Sequence, residues 1–149
     1  MKRLRKFLNL THSDRHLLIS TFILLTLVRL GLWLLPFKRL WQILSAISQV
    51  RVKPQPVDRT DLDKIVKAVD LSSRYMPGGV KCLARAFTTQ VLMKRYGYSP
   101  ELRIGVAKKE GGELEAHAWV ESQGKVVIGY LRDLSSFTPL PPVEGAERL

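Results

Sequence analysis

A single cysteine, Cys82, and three histidines, His12, His16 and His117, are the side chains of this 149-residue chain best suited to nucleophilic or metal chemistry. A thiol becomes a nucleophile when its proton can be removed, and an imidazole at the right distance is the usual acceptor. Cys82 and His117 are therefore the candidate nucleophile and base. His12 and His16 stand four apart, a spacing that puts both on one helix face, but no further ligand follows at a suitable spacing. We expect neither a metal nor a cofactor.

Cys82 follows Gly78-Gly79 and opens the run Lys81-Cys82-Leu83-Ala84-Arg85-Ala86, with Leu83, Ala86, Phe87 and Val91 at helical spacing. The pattern predicts a helix from about Cys82 to Arg95, capped by Gly97. A helix N-terminus presents unpaired N–H groups and a partial positive charge, which favour a thiolate and would bind the oxyanion formed when that thiolate attacks an amide carbonyl. Lys81 and Arg85 add positive charge; Arg85, one turn on, either faces substrate or is solvated. His117 lies in Glu115-Ala116-His117-Ala118-Trp119-Val120-Glu121, whose alternation predicts a strand with His117, Trp119 and Glu121 on one face and Ala116, Ala118 and Val120 on the other. The small residues would admit a close-packed helix, letting a helix-borne Cys meet a strand-borne His. Trp119 suits packing or, alternatively, substrate stacking. The plainer reading of both main residues is structural: a lone helical Cys is most often a small buried hydrophobe, and a lone strand His a core or surface residue.

Elements around these two follow from periodicity and turn residues. Leu62, Ile65, Val66 and Val69 share a helical face after Thr60, with Asp63 completing a variant capping box, and the helix should end near Tyr75 before Pro77. Strands are expected at Leu102–Val106, Leu114–Glu121 and Lys125–Tyr130, separated by the Gly111-Gly112 and Ser122-Gln123-Gly124 turns. The segment after Ser135, with Pro139, Pro141 and Pro142, reads as irregular. The sum is an α+β fold.

Composition places the rest. Apolar residues make up 46% and charged residues 25%, suited to a folded core. One cysteine allows no internal disulfide, which fits a reducing cytoplasm. The net charge of +11 is uneven: residues 1–53 hold ten Lys/Arg against Asp14 alone (+9), and residues 54–149 hold fourteen against twelve acids (+2). The boundary is set at 53/54, after a basic apolar N-terminal region and within the linker Arg51 to Pro56. No nucleic-acid signature accompanies the charge, so nucleic acid is not an expected partner. The apolar run Leu17–Leu35 has 19 residues, close to the roughly 20 a membrane span needs. Arg29 inside it would cost about 2.5 kcal/mol near a helix centre. The expectation is a helix lying on a membrane surface or docking on a partner, broken at Pro36 and followed by a second helix through Leu40, Ile43, Leu44 and Ile47.

Taken together, Arg74-Tyr75-Met76-Pro77, Lys81-Cys82-Leu83-Ala84-Arg85-Ala86, Leu92-Met93-Lys94-Arg95-Tyr96-Gly97 and His117-Ala118-Trp119-Val120-Glu121 with Gly124 after it resemble the transglutaminase-like leader peptidases of lasso-peptide biosynthesis, over roughly residues 15–130. The resemblance implies a papain-like or transglutaminase-like fold, with the Cys helix packed on a small antiparallel sheet. It implies a cysteine peptidase that removes the leader from a ribosomally made precursor before macrolactam formation. Its implied partners are the precursor peptide, a separate leader-recognition protein and an asparagine-synthetase-like cyclase. The family's third catalytic member is an Asp near the place held here by Gly129, which leaves Asp133, or alternatively Glu121, for that role. The substrate-contact candidates are Arg85 and Trp119. Rival readings are an acyl transferase or amidase of the same fold, or a non-catalytic scaffold.

Overall fold

The computed structural model describes residues 2–48, 59–78 and 81–140. Five helices come first: α1 (Lys2–Leu8), α2 (His12–Leu34), α3 (Phe37–Ser48), α4 (Arg59–Tyr75) and α5 (Cys82–Arg95). Four strands follow: β1 (Glu101–Lys108), β2 (Leu114–Ser122), β3 (Lys125–Ile128) and the two-residue β4 (Thr138–Pro139), with a short 3-10 turn at Leu134–Ser136. All pair antiparallel in the order β3-β2-β1-β4. This is the α+β arrangement expected, with helices ahead of a small sheet.

The Cys helix is the centre. In α5, Ala84 and every residue from Ala86 to Met93 are buried, because α2, α3 and α4 cover one side and the sheet covers the other. Such a helix cannot be amphipathic, and Thr88 and Thr89 satisfy their hydroxyls on the carbonyls of Ala84 and Arg85, one turn back, both at 2.8 Å. A single core runs from Leu24, Leu25 and Val28 (α2) and Leu40, Trp41 and Leu44 (α3), through Ile65 and Val69 (α4) and α5, to Ala118, Val120 and Ile128 of the sheet. Trp41 meets Phe87 edge-to-face with centroids 5.3 Å apart. The α2 and α3 helices thus share the core of the later elements. The expected linker and the 53/54 boundary fall outside the described residues.

Local chemistry sets the element ends. Thr11 caps α2, its hydroxyl accepting from the Asp14 amide at 3.2 Å. α2 and α3 are separated at Leu35-Pro36, as a proline requires. α4 starts at Arg59, one residue before the expected cap Thr60, whose side chain lies outside the described residues. Strand β3 stops at Ile128 instead of Tyr130, because Gly129 turns to φ +86°. β4 corrects the expectation of irregular chain after Ser135: Thr138 and Pro139 pair with Val106 and Gly105 at the sheet edge, where proline is tolerated. Pro141 and Pro142 lie outside the described residues.

Two predictions follow from this packing. Phe87→Ala should cost about 3–5 kcal/mol in denaturant unfolding, and a loss under 1 kcal/mol (about a quarter of that) would contradict burial of α5 on both sides. Asp14, bonded to Thr11 and to Lys64 of α4 at 3.2 Å, has its carboxyl held below the ordinary value of 3.8, chiefly by the Thr11 bond and then by Lys64. Its contribution to stability should be present above that value and fade as pH falls through the lowered one. The stability gap between the native chain and Asp14→Asn, measured by thermal melts, should therefore close on acidification.

Candidate active site

Cys82 is the first residue of α5 and is partly buried against the main core. Lys81 precedes it in extended conformation, and no side chain caps the helix. The first intrahelical bond runs from the Arg85 amide to the Lys81 carbonyl at 3.2 Å. The amides of Cys82, Leu83 and Ala84 therefore have no carbonyl within the helix to bond, the local condition for holding an oxyanion beside the sulfur.

His117 sits on β2, paired across the ladder with Gly105. Alternation divides the strand as expected. Ala118 and Val120 enter the α5 core, whereas Trp119 packs with Ala107 and Phe137 on the other face. The imidazole lies with that second group, stacked beside Trp119 (centroids 6.2 Å) and 5.8 Å from the Phe137 ring. Gly105 keeps this space open: a Cβ there would come 2.9 Å from the Trp119 ring and 3.1 Å from Phe137 Cβ.

The ring is fixed by one polar contact, His117 Nε2 to the carbonyl oxygen of Gly129 at 2.7 Å. A carbonyl can only accept, so Nε2 carries the hydrogen and Nδ1 of the neutral ring is left as a proton acceptor. Gly129 can reach the ring because it lacks a side chain. Its φ is +86°, and a Cβ would lie 2.9 Å from both the Ala118 oxygen and Trp119 Cβ. An aspartate could not replace it without moving the strand. A backbone carbonyl thus occupies the place beside the imidazole where a third side chain was expected.

The structure brings neither candidate carboxylate to this ring. Asp133 is exposed and bonds Lys109 Nζ at 3.4 Å, and Glu121 accepts from Trp119 Nε1 at 2.8 Å with Arg103 Nε at 3.7 Å. Trp119 is only 3% exposed, which places its ring in packing. Arg85 turns to Asp70 of α4, its NH2 group paired with the carboxylate. Nothing in the sequence pattern pointed to that pair, which joins different helices. Among the described residues no three His, Cys, Asp or Glu side chains cluster as a metal site.

Cys82 and His117 project from opposite sides of the sheet, and no hydrogen bond joins them. They share an end of the fold nonetheless. The five-residue connection 96–100 folds the chain back from α5 into β1, returning the N-terminus of α5 toward the end of the sheet where β2 begins. There β2 has an unpaired edge, because β3 contacts only Val120, Glu121 and Ser122.

The Gly129 contact makes a testable demand. In proton–nitrogen correlation spectra of neutral His117, the hydrogen should sit on Nε2, and a ring protonated on Nδ1 would contradict the bond. Gly129→Ala should destabilise the fold by about 1–3 kcal/mol through strain alone.

A family model described as the transglutaminase-like superfamily matches residues 27–141. No curated protein and no solved structure matches the chain.

Proposed function

Because the chain belongs to the transglutaminase-like superfamily, whose members are for the most part cysteine-dependent enzymes, we propose that it is a cysteine peptidase acting through Cys82 and His117. The observation that carries this reading is the placement of its one cysteine at the uncapped N-terminus of the buried helix α5.

The proton on Sγ passes to His117 Nδ1, and the thiolate attacks the scissile amide carbonyl. The oxyanion is held by amides at the start of α5. His117 returns the proton to the departing amine, leaving the acyl group as a thioester on Cys82. Water, deprotonated by the same nitrogen, then releases the acid and restores the thiol. Throughout, Nε2–H remains on the Gly129 carbonyl, which accepts from the neutral and the protonated ring alike. We assign the orienting role to this carbonyl in place of Asp133 or Glu121. This transfer requires Sγ and Nδ1 to come within hydrogen-bond reach in the substrate complex, since no bond joins them in the free structure.

The substrate we propose is a ribosomally made lasso-peptide precursor, cut at the leader–core junction so that the core's amine is free for ring closure by a separate cyclase. This narrower reading is supported by the motifs around Cys82, Arg95–Gly97 and His117. A separate leader-recognition protein would deliver the precursor.

The test is leader release followed by mass spectrometry, with the precursor and its recognition protein present. Cys82→Ala should abolish cleavage and His117→Ala should slow it about 10²–10⁴-fold, while Asp133→Asn and Glu121→Gln each stay within about threefold, well short of what an acid–base group supplies. Unimpaired Cys82→Ala would end the peptidase reading. A His117→Ala variant that cleaves the precursor within about threefold of the native rate would end the pairing. Incorporation of a labelled primary amine would identify acyl transfer instead.

A further inference from the structure

The α2 helix has two apolar faces, and the fold uses only one. Leu17, Thr21, Leu24, Leu25, Val28 and Gly31 are buried against the domain. On the opposite side Ile19, Phe22, Ile23, Leu27, Leu30, Trp33 and Leu34 are exposed. At 100° per residue these seven fall within one half of the helix surface, over 16 residues or about 24 Å. The only charged residue in that span, Arg29, lies at the edge of the stripe and donates to the Pro77 carbonyl at 2.5 Å. Thr26, the polar residue within this arc, returns its hydroxyl to the Phe22 carbonyl at 2.8 Å, and an apolar stripe of this length is more than a soluble surface normally leaves bare.

Charge tells what covers it. Exposed Lys2, Arg5 and Lys6 stand just before α2, and exposed Lys38 and Arg39 just after it. The one acid in the region, Asp14, is engaged with Lys64. An apolar stripe with cations at both ends matches a surface that is apolar within and anionic at its headgroups. The helix is long and apolar enough to cross a bilayer, but its other face is part of the protein core. A spanning α2 would take α4, with Asp63, Lys64, Lys67 and Asp70, into hydrocarbon. We propose that α2 lies in the plane of an anionic membrane, its exposed face in the headgroup–acyl boundary and the catalytic domain standing on the aqueous side. This surface is independent of the peptidase reading.

Tryptophan fluorescence of the full chain tests the idea. Trp41 and Trp119 are 7% and 3% exposed and Trp33 is 82% exposed, so a spectral shift on lipid addition reports Trp33. With vesicles of equal parts phosphatidylcholine and phosphatidylglycerol the emission should move to shorter wavelength and the protein should float with the lipid. Pure phosphatidylcholine should bind at least tenfold more weakly, given about fivefold per basic residue at an anionic surface, and added salt should release the protein. The double substitution Leu27→Glu and Leu30→Glu should abolish flotation with the folded circular dichroism spectrum retained, whereas Cys82→Ala should bind as the native chain does. The proposal is overturned if anionic vesicles do not shift the emission, if the double substitution binds equally, if the protein resists alkaline extraction as a spanning helix would, or if the stripe proves to be covered by a second copy, seen as a lipid-free dimer that the double substitution dissolves.

Discussion

Burial of α5 on all sides is the constraint from which the other placements follow. A helix whose residues 84 and 86–93 are all removed from water must have an apolar partner around its whole circumference. The sheet supplies one through Leu102, Ile104, Ala118 and Val120, and three helices supply the others. The two ends emerge, the last through Lys94 and Arg95 and the first where Cys82 stands. Cys82 is thereby anchored at one end of this buried helix, where the first amides have no partner within the helix.

The sheet then acts as a partition. Period-two alternation in β2 sends Ala118 and Val120 to the core and His117 and Trp119 to the other side, so a base on this strand cannot look at α5 through the sheet. The early end of β3 shapes the surroundings of His117. Gly129 leaves the ladder after Ile128, lies against Ala118 and Trp119 of β2, and turns its carbonyl onto the His117 ring. One glycine in a left-handed conformation therefore both ends the β2–β3 pairing and orients the imidazole. A carbonyl is a weaker partner for an imidazolium than a carboxylate, since it carries no full charge. It fixes the tautomer equally well, because it can only accept.

The elements closest to the chemistry were the most legible in the sequence. The Cys helix with its Gly97 cap, the alternation in β2 and the tight turn into β3 are local patterns, and local patterns survive folding. What could not be read was long-range or carried by the backbone. The pairing of Thr138-Pro139 with β1 has no periodic signal, since two residues make no period. The carbonyl of Gly129 is invisible to any reading that looks for side chains, so the search for a third member turned to Asp133 and Glu121, whose contacts lie with Lys109, Trp119 and Arg103. The Arg85–Asp70 pair joins residues 15 apart on different helices, beyond what spacing within one helix can indicate.

Hydropathy misleads in α2 for a related reason. An apolar run of this length has the same composition whether it spans a bilayer, fills a core or does half of each. The distinction lies in its single charge. In hydrocarbon Arg29 would be a penalty. Here its guanidinium is turned to the carbonyl of Pro77, at the C-terminal end of α4 and five residues ahead of Cys82. The contact gives the cation a partner and ties α2 to the residues that close α4. Whatever surface α2 rests upon, the end of α4 is held at a fixed offset from it. An arginine that reads as a defect in a membrane helix is, in the folded chain, the joint between an apolar strip and the end of α4.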